Sequence, residues 1–432
     1  MDRGEFSPLL ETKLLKFNGK LFKERTALPL DSAQIDRLIA AARADWKQVE
    51  PAIFGTLLEC VLDPACGSGN FLYVALEQMK RLEGEVLNFL DELGDTQGRL
   101  DLAGVSVDPH QLLGIEINPR AAAVAEMVLW IGYLQWHYRA RGNVIPPLPV
   151  LKDFHNIECR DAVLAYDRVE YETDENGRPV TRWDGWTTRK TRPVTGLGVP
   201  DERAQVPVEK YINPRAAAWP PADFVISNPP FIGTKRMRAA LGHGYTEALR
   251  HAYSDLGDGC DFVMYWWDKA ARLVRSGGAR TFGLITTNSI RQSFNRKVVD
   301  KHLDAKPCLS LALATPDHPW VDAADGAAVR IAMTVGVAGI HPGVLQAVIN
   351  EQAGPDGAMA DVASRTGSIN ADLSIGANLA HASTLASNAD ISGMGVALHG
   401  AGFILAEVEA AEIRPHGAAV VRGYVGGKDL LQ

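Results

Sequence analysis

Cysteine is scarce in this 432-residue chain, and its five copies, Cys60, Cys66, Cys159, Cys260 and Cys308, are odd in number and never spaced as C-x-x-C. That excludes a disulfide framework and signals no metal site, so the thiols are expected to be reduced. No stretch approaches the roughly 18 consecutive apolar residues of a membrane helix, and the N-terminus MDRGEFSPLLETK lacks the basic-then-apolar layout of a signal peptide. A cytoplasmic protein with no membrane partner is the expectation. Cationic charge is not in excess either, since 44 Lys and Arg face 52 Asp and Glu, a net of −8. Nonspecific phosphate binding cannot be the chain's main business, and any nucleic-acid contact must be local.

With 46% hydrophobic and 22% charged residues, the composition is that of a globular protein long enough for two or three domains. Asp31 to Trp46 places Ile35, Leu38, Ile39 and Ala42 at helical spacing behind an Asp31/Ser32 cap, so residues 1–59 read as a helical lead-in. From Cys60 onward short apolar runs alternate with helical stretches. The runs at 60–65, 112–118, 223–228, 279–287, 309–315 and 329–336 are candidate strands, with helices predicted at 70–83, 119–139, 261–274 and 289–303. The pattern predicts an α/β fold with a mostly parallel sheet and crossover helices. No helix separates the last two strands, so they are expected to close the sheet as an antiparallel hairpin.

Residues 163–221 are too long and polar for a connection and read as an insertion into a domain spanning 60–345. Their core carries Arg178, Arg182, Arg189, Lys190 and Arg192 with Trp183 and Trp186 interleaved. Two readings stay open there, a strand-binding flap or a solvated loop anchored by its tryptophans. From 346 to 432 four basic residues face nine acidic ones, poor material for gripping phosphates.

Three motifs carry chemistry. In VLDPACGSGNFL, residues 61–72, a buried strand enters a glycine turn and then a helix. Gly67 and Gly69 permit close backbone approach, while Asp63 at the strand end accepts hydrogen bonds. The turn lacks the Gly-Lys-Ser/Thr of a P-loop and the G-x-G-x-x-G of a dinucleotide fold, and its carboxylate would repel phosphate. The ligand is therefore expected to be nucleoside-like and positively charged, as S-adenosylmethionine is. In LLGIEIN, Glu116 ends the next strand, placed to accept ribose hydroxyls. In NIECRDAVL, Asp161 either accepts from an adenine amino group or caps a helix.

The third motif is DFVISNPPFIG, residues 223–233. An amine conjugated to a base is a poor nucleophile because its lone pair is delocalised into the ring. Two acceptors, the Asn228 side-chain oxygen and the Pro229 carbonyl, can pyramidalise it and aim the lone pair at a methyl group. Pro229 and Pro230 hold those carbonyls in place, and Phe231 offers a ring on which a flipped base can stack.

DPACGSG, GIEIN and NPPF, in this order, resemble motifs I, II and IV of the gamma-class N6-adenine DNA methyltransferases. FNGKLF, PAIFGTLLE, LWIGYLQWHYR, RDAVLAYD, DFVMYWW and GLITTNSIRQ are similar to segments in the methyltransferase portion of single-chain type IIG/IIL restriction-modification enzymes. The resemblance implies a Rossmann-like class I S-adenosylmethionine-dependent methyltransferase fold and site-specific methylation of adenine in DNA. It implies cofactor contacts from Asp63, Pro64, Ala65, Cys66, Gly67, Gly69, Glu116, Ile117 and Asp161, base contacts from Asn228, Pro229, Pro230 and Phe231, and no metal. Two departures stand out: Glu59-Cys60-Val61 joins segments that the family separates by a lid over the cofactor, and residues 346–432 read as a linker toward a target-recognition domain the sequence does not reach. Other readings stay open: an impaired remnant or subunit needing a separate recognition or nuclease polypeptide, or an RNA or protein amine methyltransferase.

Overall fold

The computed structural model describes residues 6–7, 12–13, 59–92, 107–141, 156–184, 187–191, 198–319, 330–354, 357–378, 405, 407–417 and 423. It divides into two compact units, one of Met1–Thr56 with Val86–Gly104 and one of Leu57–Glu85 with Val105–Gln432. In the first, Phe6–Ser7 pairs antiparallel with Thr12–Lys13. Those four residues are therefore strand where a helical lead-in is expected, and Pro8, which donates no amide, disfavours a helix through that stretch. The expected helix at 31–46 lies outside the described residues.

The second unit is built on nine strands: β1 (Val61–Asp63), β2 (Leu112–Glu116), β3 (Ile157–Cys159), β4 (Phe224–Ser227), β5 (Thr281–Thr287), β6 (Leu309–Pro319), β7 (Arg330–Ala338), β8 (Gly343–Gly354) and β9 (Gly357–Gly367). They are ordered β9-β8-β6-β7-β5-β4-β1-β2-β3. Strands β1 to β5 run parallel, and β7 lies antiparallel between β5 and β6. The mostly parallel sheet with its antiparallel closure is the class I methyltransferase arrangement expected from the sequence. From β1 the chain winds outward through β2 and β3, then returns to β4 on the other side of β1. Ligands of open α/β sheets bind at such a reversal, which here falls at the carboxyl ends of β1 and β4.

Two features depart from expectation. The sheet continues past the expected domain end at 345, which falls inside β8: β8 pairs parallel with β6 through Leu313↔Val344 and Ala314↔Leu345, and β9 pairs antiparallel with β8. Alanine, glycine and asparagine weaken the strand signal there, and the pairing comes from the exposed edge of β6. The 3-residue β3, Ile-Glu-Cys, is too short to announce itself and is recruited by the β2 edge.

The described helices are α1 (Asn70–Glu92), α2 (Pro119–Arg141), α3 (Thr234–Leu241), α4 (His243–Ala252), α5 (Val263–Arg275), α6 (Ser293–Leu303) and α7 (Glu407–Gly417). Helix α6 begins four residues later than the sequence suggests, because Asn288–Arg291 forms a 3₁₀ turn. Helix α5 anchors the core. Val263, Met264, Tyr265, Trp266, Trp267, Ala270, Ala271 and Val274 are all buried. The Trp267 ring lies edge-on to Phe282 of β5 with centroids 5.4 Å apart, and its indole N–H donates to Thr334 Oγ1 of β7 at 3.1 Å. A buried indole needs such a partner, since an unpaired donor costs about 1 to 3 kcal/mol.

The described residues of 163–221 pair as an antiparallel ribbon. Leu164–Ala165 pairs with Arg215–Ala216, Arg168–Tyr171 with Glu209–Ile212, Thr181–Trp183 with Gln205–Pro207, and Thr188–Thr191 with Gly198–Pro200.

Candidate active site

The glycine turn leaves β1 at Asp63. Gly67 and Gly69 have φ of +55° and +85°, values that side-chain-bearing residues rarely adopt. A Cβ on Gly69 would also lie 3.0 Å from the Ala125 backbone of α2, whereas Gly67 faces open space within 4 Å. The turn is thus closed on its helix side and open where a ligand would approach. The Gly67 amide donates to Glu116 Oε2 at 2.9 Å, and the Asn118 amide to Glu116 Oε1 at 2.8 Å. These bonds bring the end of β2 against the turn and orient the Glu116 carboxylate. Ile117, the next residue, is 67% exposed, an apolar surface available to a ring.

Asp63 is buried and joins two motifs distant in sequence. Its Oδ1 accepts from the Ala65 amide at 3.0 Å and from Ser227 Oγ at 2.6 Å, so the glycine-turn strand and the strand leading to Asn228 are hydrogen-bonded at their carboxyl ends. Burial pushes the Asp63 carboxyl up to about 7, against the lowering effect of the Ser227 and Ala65 donors, and the Glu116 charge adds to the rise. Burial likewise pushes the Cys66 thiol up to about 12, so Cys66 lines the turn as a neutral side chain and not as a nucleophile. A cationic ligand beside Asp63 would relieve the cost of its charge.

The folded state thus prefers Asp63 protonated, while the unfolded chain ionises it near 3.9. As pH rises from about 4 through 7 the unfolded state gains, and Asp63 costs stability on the order of 2 to 4 kcal/mol above that window. The expected result is that Asp63→Asn melts at higher temperature than the unsubstituted chain at pH 8, by a margin that shrinks toward pH 4. Equal melting temperatures at both ends of the range would show that the carboxylate is not strained.

Beyond β4, Asn228 Oδ1 is buried without a hydrogen-bond partner. Pro229 is buried, Pro230 is exposed, and Phe231 is half-buried against the core. The loop is fixed from behind by residues that sequence reading missed. The Phe262 amide donates to Ile232 O at 2.9 Å and the Thr234 amide to Asp261 Oδ1 at 3.0 Å, while Asp261 Oδ2 accepts from Ser289 Oγ at 2.6 Å and Asn295 Nδ2 at 2.8 Å. Asp261 and Ser289 lie in DFVMYWW and GLITTNSIRQ, so the signal was present, but only long-range pairing reveals what those polar residues hold. Trp266 ties the two motifs further, its indole N–H donating to Pro64 O at 2.9 Å.

Asp161 follows β3 on the same edge of the sheet. Its Oδ1 accepts the Val163 and Leu164 amides at 2.7 and 2.9 Å, capping a turn and not a helix, and its Oδ2 accepts the Tyr245 hydroxyl at 2.6 Å. In the ribbon, Trp183 is half-buried and its indole N–H donates to Thr187 O at 2.9 Å. Asp184 accepts from both the amide and hydroxyl of Thr187. The Trp183 bond lies within the ribbon itself and decides neither reading of the stretch. Trp186 and Arg192 lie outside the described residues. Across 163–221 nine basic residues face nine acidic ones, so the ribbon as a whole is not a cationic arm. Among the described residues no group of three or more His, Cys, Asp or Glu is placed to hold a metal, and no helix is long and apolar enough to cross a membrane.

The family model described as the MmeI DNA-methyltransferase domain matches residues 56–347. The chain belongs to that family. DNA methyltransferase A of Bacillus subtilis (strain 168) is 25% identical over 279 residues, 63% of this chain and 26% of that protein. Among solved structures, the type IIL restriction-modification enzyme MmeI in complex with DNA is similar with a TM-score of 0.51 at 20% identity, over 80% of this chain and 39% of that one. The M protein of the type I restriction enzyme EcoKI aligns with a TM-score of 0.33 at 15% identity, over 74% of this chain and 52% of that one. The chain therefore spans a minor part of the length of the first two relatives. The MmeI-family match covers β1 through β7 and every candidate site residue.

Proposed function

We propose that residues 60–367 form the catalytic domain of a site-specific DNA methyltransferase of a restriction-modification system, which transfers the methyl group of S-adenosylmethionine to the exocyclic amine of adenine. The observation that carries this reading is the buried, unpartnered Asn228 side-chain oxygen at the end of a strand bonded to the glycine-turn strand. An orphaned buried acceptor costs about 1 to 3 kcal/mol, and an amine N–H would remove that cost. The donor set at the neighbouring strand ends suits the cofactor. It offers a buried carboxylate for a cationic group at Asp63, an oriented carboxylate for ribose hydroxyls at Glu116, an exposed apolar side chain for the adenine ring at Ile117, and an acceptor at Asp161. Pro64, Ala65, Cys66, Gly67 and Gly69 shape the turn that would follow the cofactor's backbone side. When bound, S-adenosylmethionine supplies an electrophilic methyl group.

The chain's own residues then act on the amine. Asn228 Oδ1 and the Pro229 carbonyl accept its two N–H groups, which localises the lone pair and directs it along one line. Pro229, buried and unable to donate, keeps its carbonyl committed to that task. Phe231 packs against the base, and the polar cage around Asp261 stops the loop from yielding. No residue here needs to be a strong base, because the proton leaves a nitrogen already made acidic by methylation.

The test is transfer of labelled methyl from S-adenosylmethionine to duplex DNA, RNA and protein in parallel, followed by nucleoside mass analysis. N6-methyladenine in DNA is the expected product. Label in cytosine, or in RNA or protein alone, would overturn the reading.

A further inference from the structure

We infer that Tyr245 is a positioning residue for cofactor recognition: by holding one oxygen of Asp161, it aims the carboxylate's free lone pair at the purine amino group and so sets selectivity for adenine over a 6-oxo purine. The inference rests on the S-adenosylmethionine reading of that site.

The backbone that carries Asp161 is held independently of Tyr245. The Trp219 indole N–H donates to Ala162 O at 2.7 Å, the Tyr253 hydroxyl to Val163 O at 2.8 Å, and the Ala217 amide to Val163 O at 3.0 Å. Lys269 donates to Ala217 O and lies 4.8 Å above the Trp219 ring. Those contacts clamp both feet of the ribbon onto α4 and α5. What they leave undetermined is the carboxylate itself. Its Oδ1 is taken by two backbone amides, and its Oδ2 by Tyr245 alone. A carboxylate oxygen can accept more than one donor, so the Tyr245 bond occupies one direction at Oδ2 and leaves another for a ligand.

Tyr245 is well placed for this. It stands in the first turn of α4, edge-on to Tyr211 of the ribbon at 5.9 Å and to Phe262 at 6.3 Å. Phe262 in turn donates its amide to Ile232 in the loop after Asn228. Burial and the Asp161 charge push the Tyr245 phenol far above its ordinary value, so it remains a donor throughout the physiological range. Both Asp161 oxygens receive donors, so the side chain presents acceptor lone pairs. An acceptor aimed at C6 of the purine welcomes an amino group and repels a carbonyl. Because the ring is wedged between Tyr211 and Phe262, Tyr245→Phe removes the hydroxyl and leaves the packing.

The experiment is titration calorimetry of S-adenosylhomocysteine and its inosyl counterpart, which carries oxygen in place of the amino group, against the full chain, Tyr245→Phe and Asp161→Ala. The unsubstituted chain should prefer the amino ligand roughly tenfold or more, as sites built to bond an N–H reject analogues lacking it. Tyr245→Phe should narrow that ratio at least about threefold with the cooperative fold retained, since an acceptor freed from its partner loses orientation. Asp161→Ala should abolish the preference. Equal weakening of both ligands by Tyr245→Phe, or an unchanged ratio, would overturn the inference while leaving the cofactor reading intact. Failure of the unsubstituted chain to bind either ligand would instead overturn the cofactor reading, and this inference with it.

Discussion

Asn228→Ala is expected to lower methyl transfer by about 10² to 10³ at saturating cofactor, with the fold and cofactor affinity retained, because removing one preorganised polar group from a buried site costs that much in rate. The split follows from where Asn228 sits. Its side chain holds nothing else, since Oδ1 is buried with no partner. The cofactor side is organised without it: Asp63 bonds Ser227 and Ala65, and Glu116 bonds Gly67 and Asn118. Truncation therefore relieves a small desolvation cost in the free protein and removes an acceptor that matters only when the amine is present. Single-turnover measurement of labelled methyl transfer, beside calorimetry with S-adenosylhomocysteine, separates the two effects. Transfer within a few-fold of the unsubstituted rate would show that another acceptor activates the amine. A parallel loss of cofactor binding would show that Asn228 supports the cofactor side instead.

The motifs were legible because each is a local solution to a local problem. A strand that must turn sharply into a helix while leaving room for a ligand needs glycine at positive φ, and Gly67 and Gly69 adopt it. A strand end that presents two carbonyls can take one from an amide side chain and one from a backbone stiffened by residues without an N–H, and Asn228-Pro229-Pro230 says so in three letters. Strand order was partly legible too, since the lack of a helix between β6 and β7 announced their antiparallel pairing. What stayed hidden depends on partners far away. Nothing near Asp161 points to Tyr245, 84 residues on, and its pair of Oδ1 bonds explains why helix capping was a fair competing expectation. The β8–β9 hairpin was hidden because its alternation is carried by alanine and polar residues, and only the waiting edge of β6 makes it strand. The bond from the Trp183 indole N–H to the Thr187 carbonyl was hidden as well, because nothing in the sequence pairs those two positions.

Asp268→Ala is expected to destabilise the protein by about 1 to 3 kcal/mol, the cost of removing a buried acceptor of charge-assisted hydrogen bonds and leaving the buried His302 donor unpaired. Asp268 is fully buried on α5 and is the common acceptor for His302 Nε2 at 2.8 Å, Arg272 Nε at 2.5 Å and Lys301 Nζ at 3.1 Å. Arg272 and Lys301 also reach Asp255 in the segment before α5, so one carboxylate ties α5, α6 and that segment. The state of His302 follows from its neighbours. Arg275 Nη1, which can only donate, lies 3.0 Å from its Nδ1, so the ring is the neutral tautomer that donates from Nε2 to Asp268. Burial lowers its affinity for a proton below the ordinary value even though Asp268 opposes the shift. For Asp268, burial works to raise the carboxyl, but the His302 and Arg272 hydrogen bonds and the Arg272 and Lys301 charges outweigh it and hold it at about 2. The signs give two acid windows. His302 binds protons more weakly folded than unfolded, so stability begins to fall as pH drops through about 6.5. Asp268 has a depressed value, so its contribution is complete above about 4 and is lost as pH falls toward 2. Urea unfolding of both proteins between pH 8 and 3 tests this, with the destabilisation largest at neutral pH and shrinking below about 4 as the unfolded Asp268 takes up its proton. A difference that is constant across that range would mean that packing, and not charge, is what Asp268 contributes.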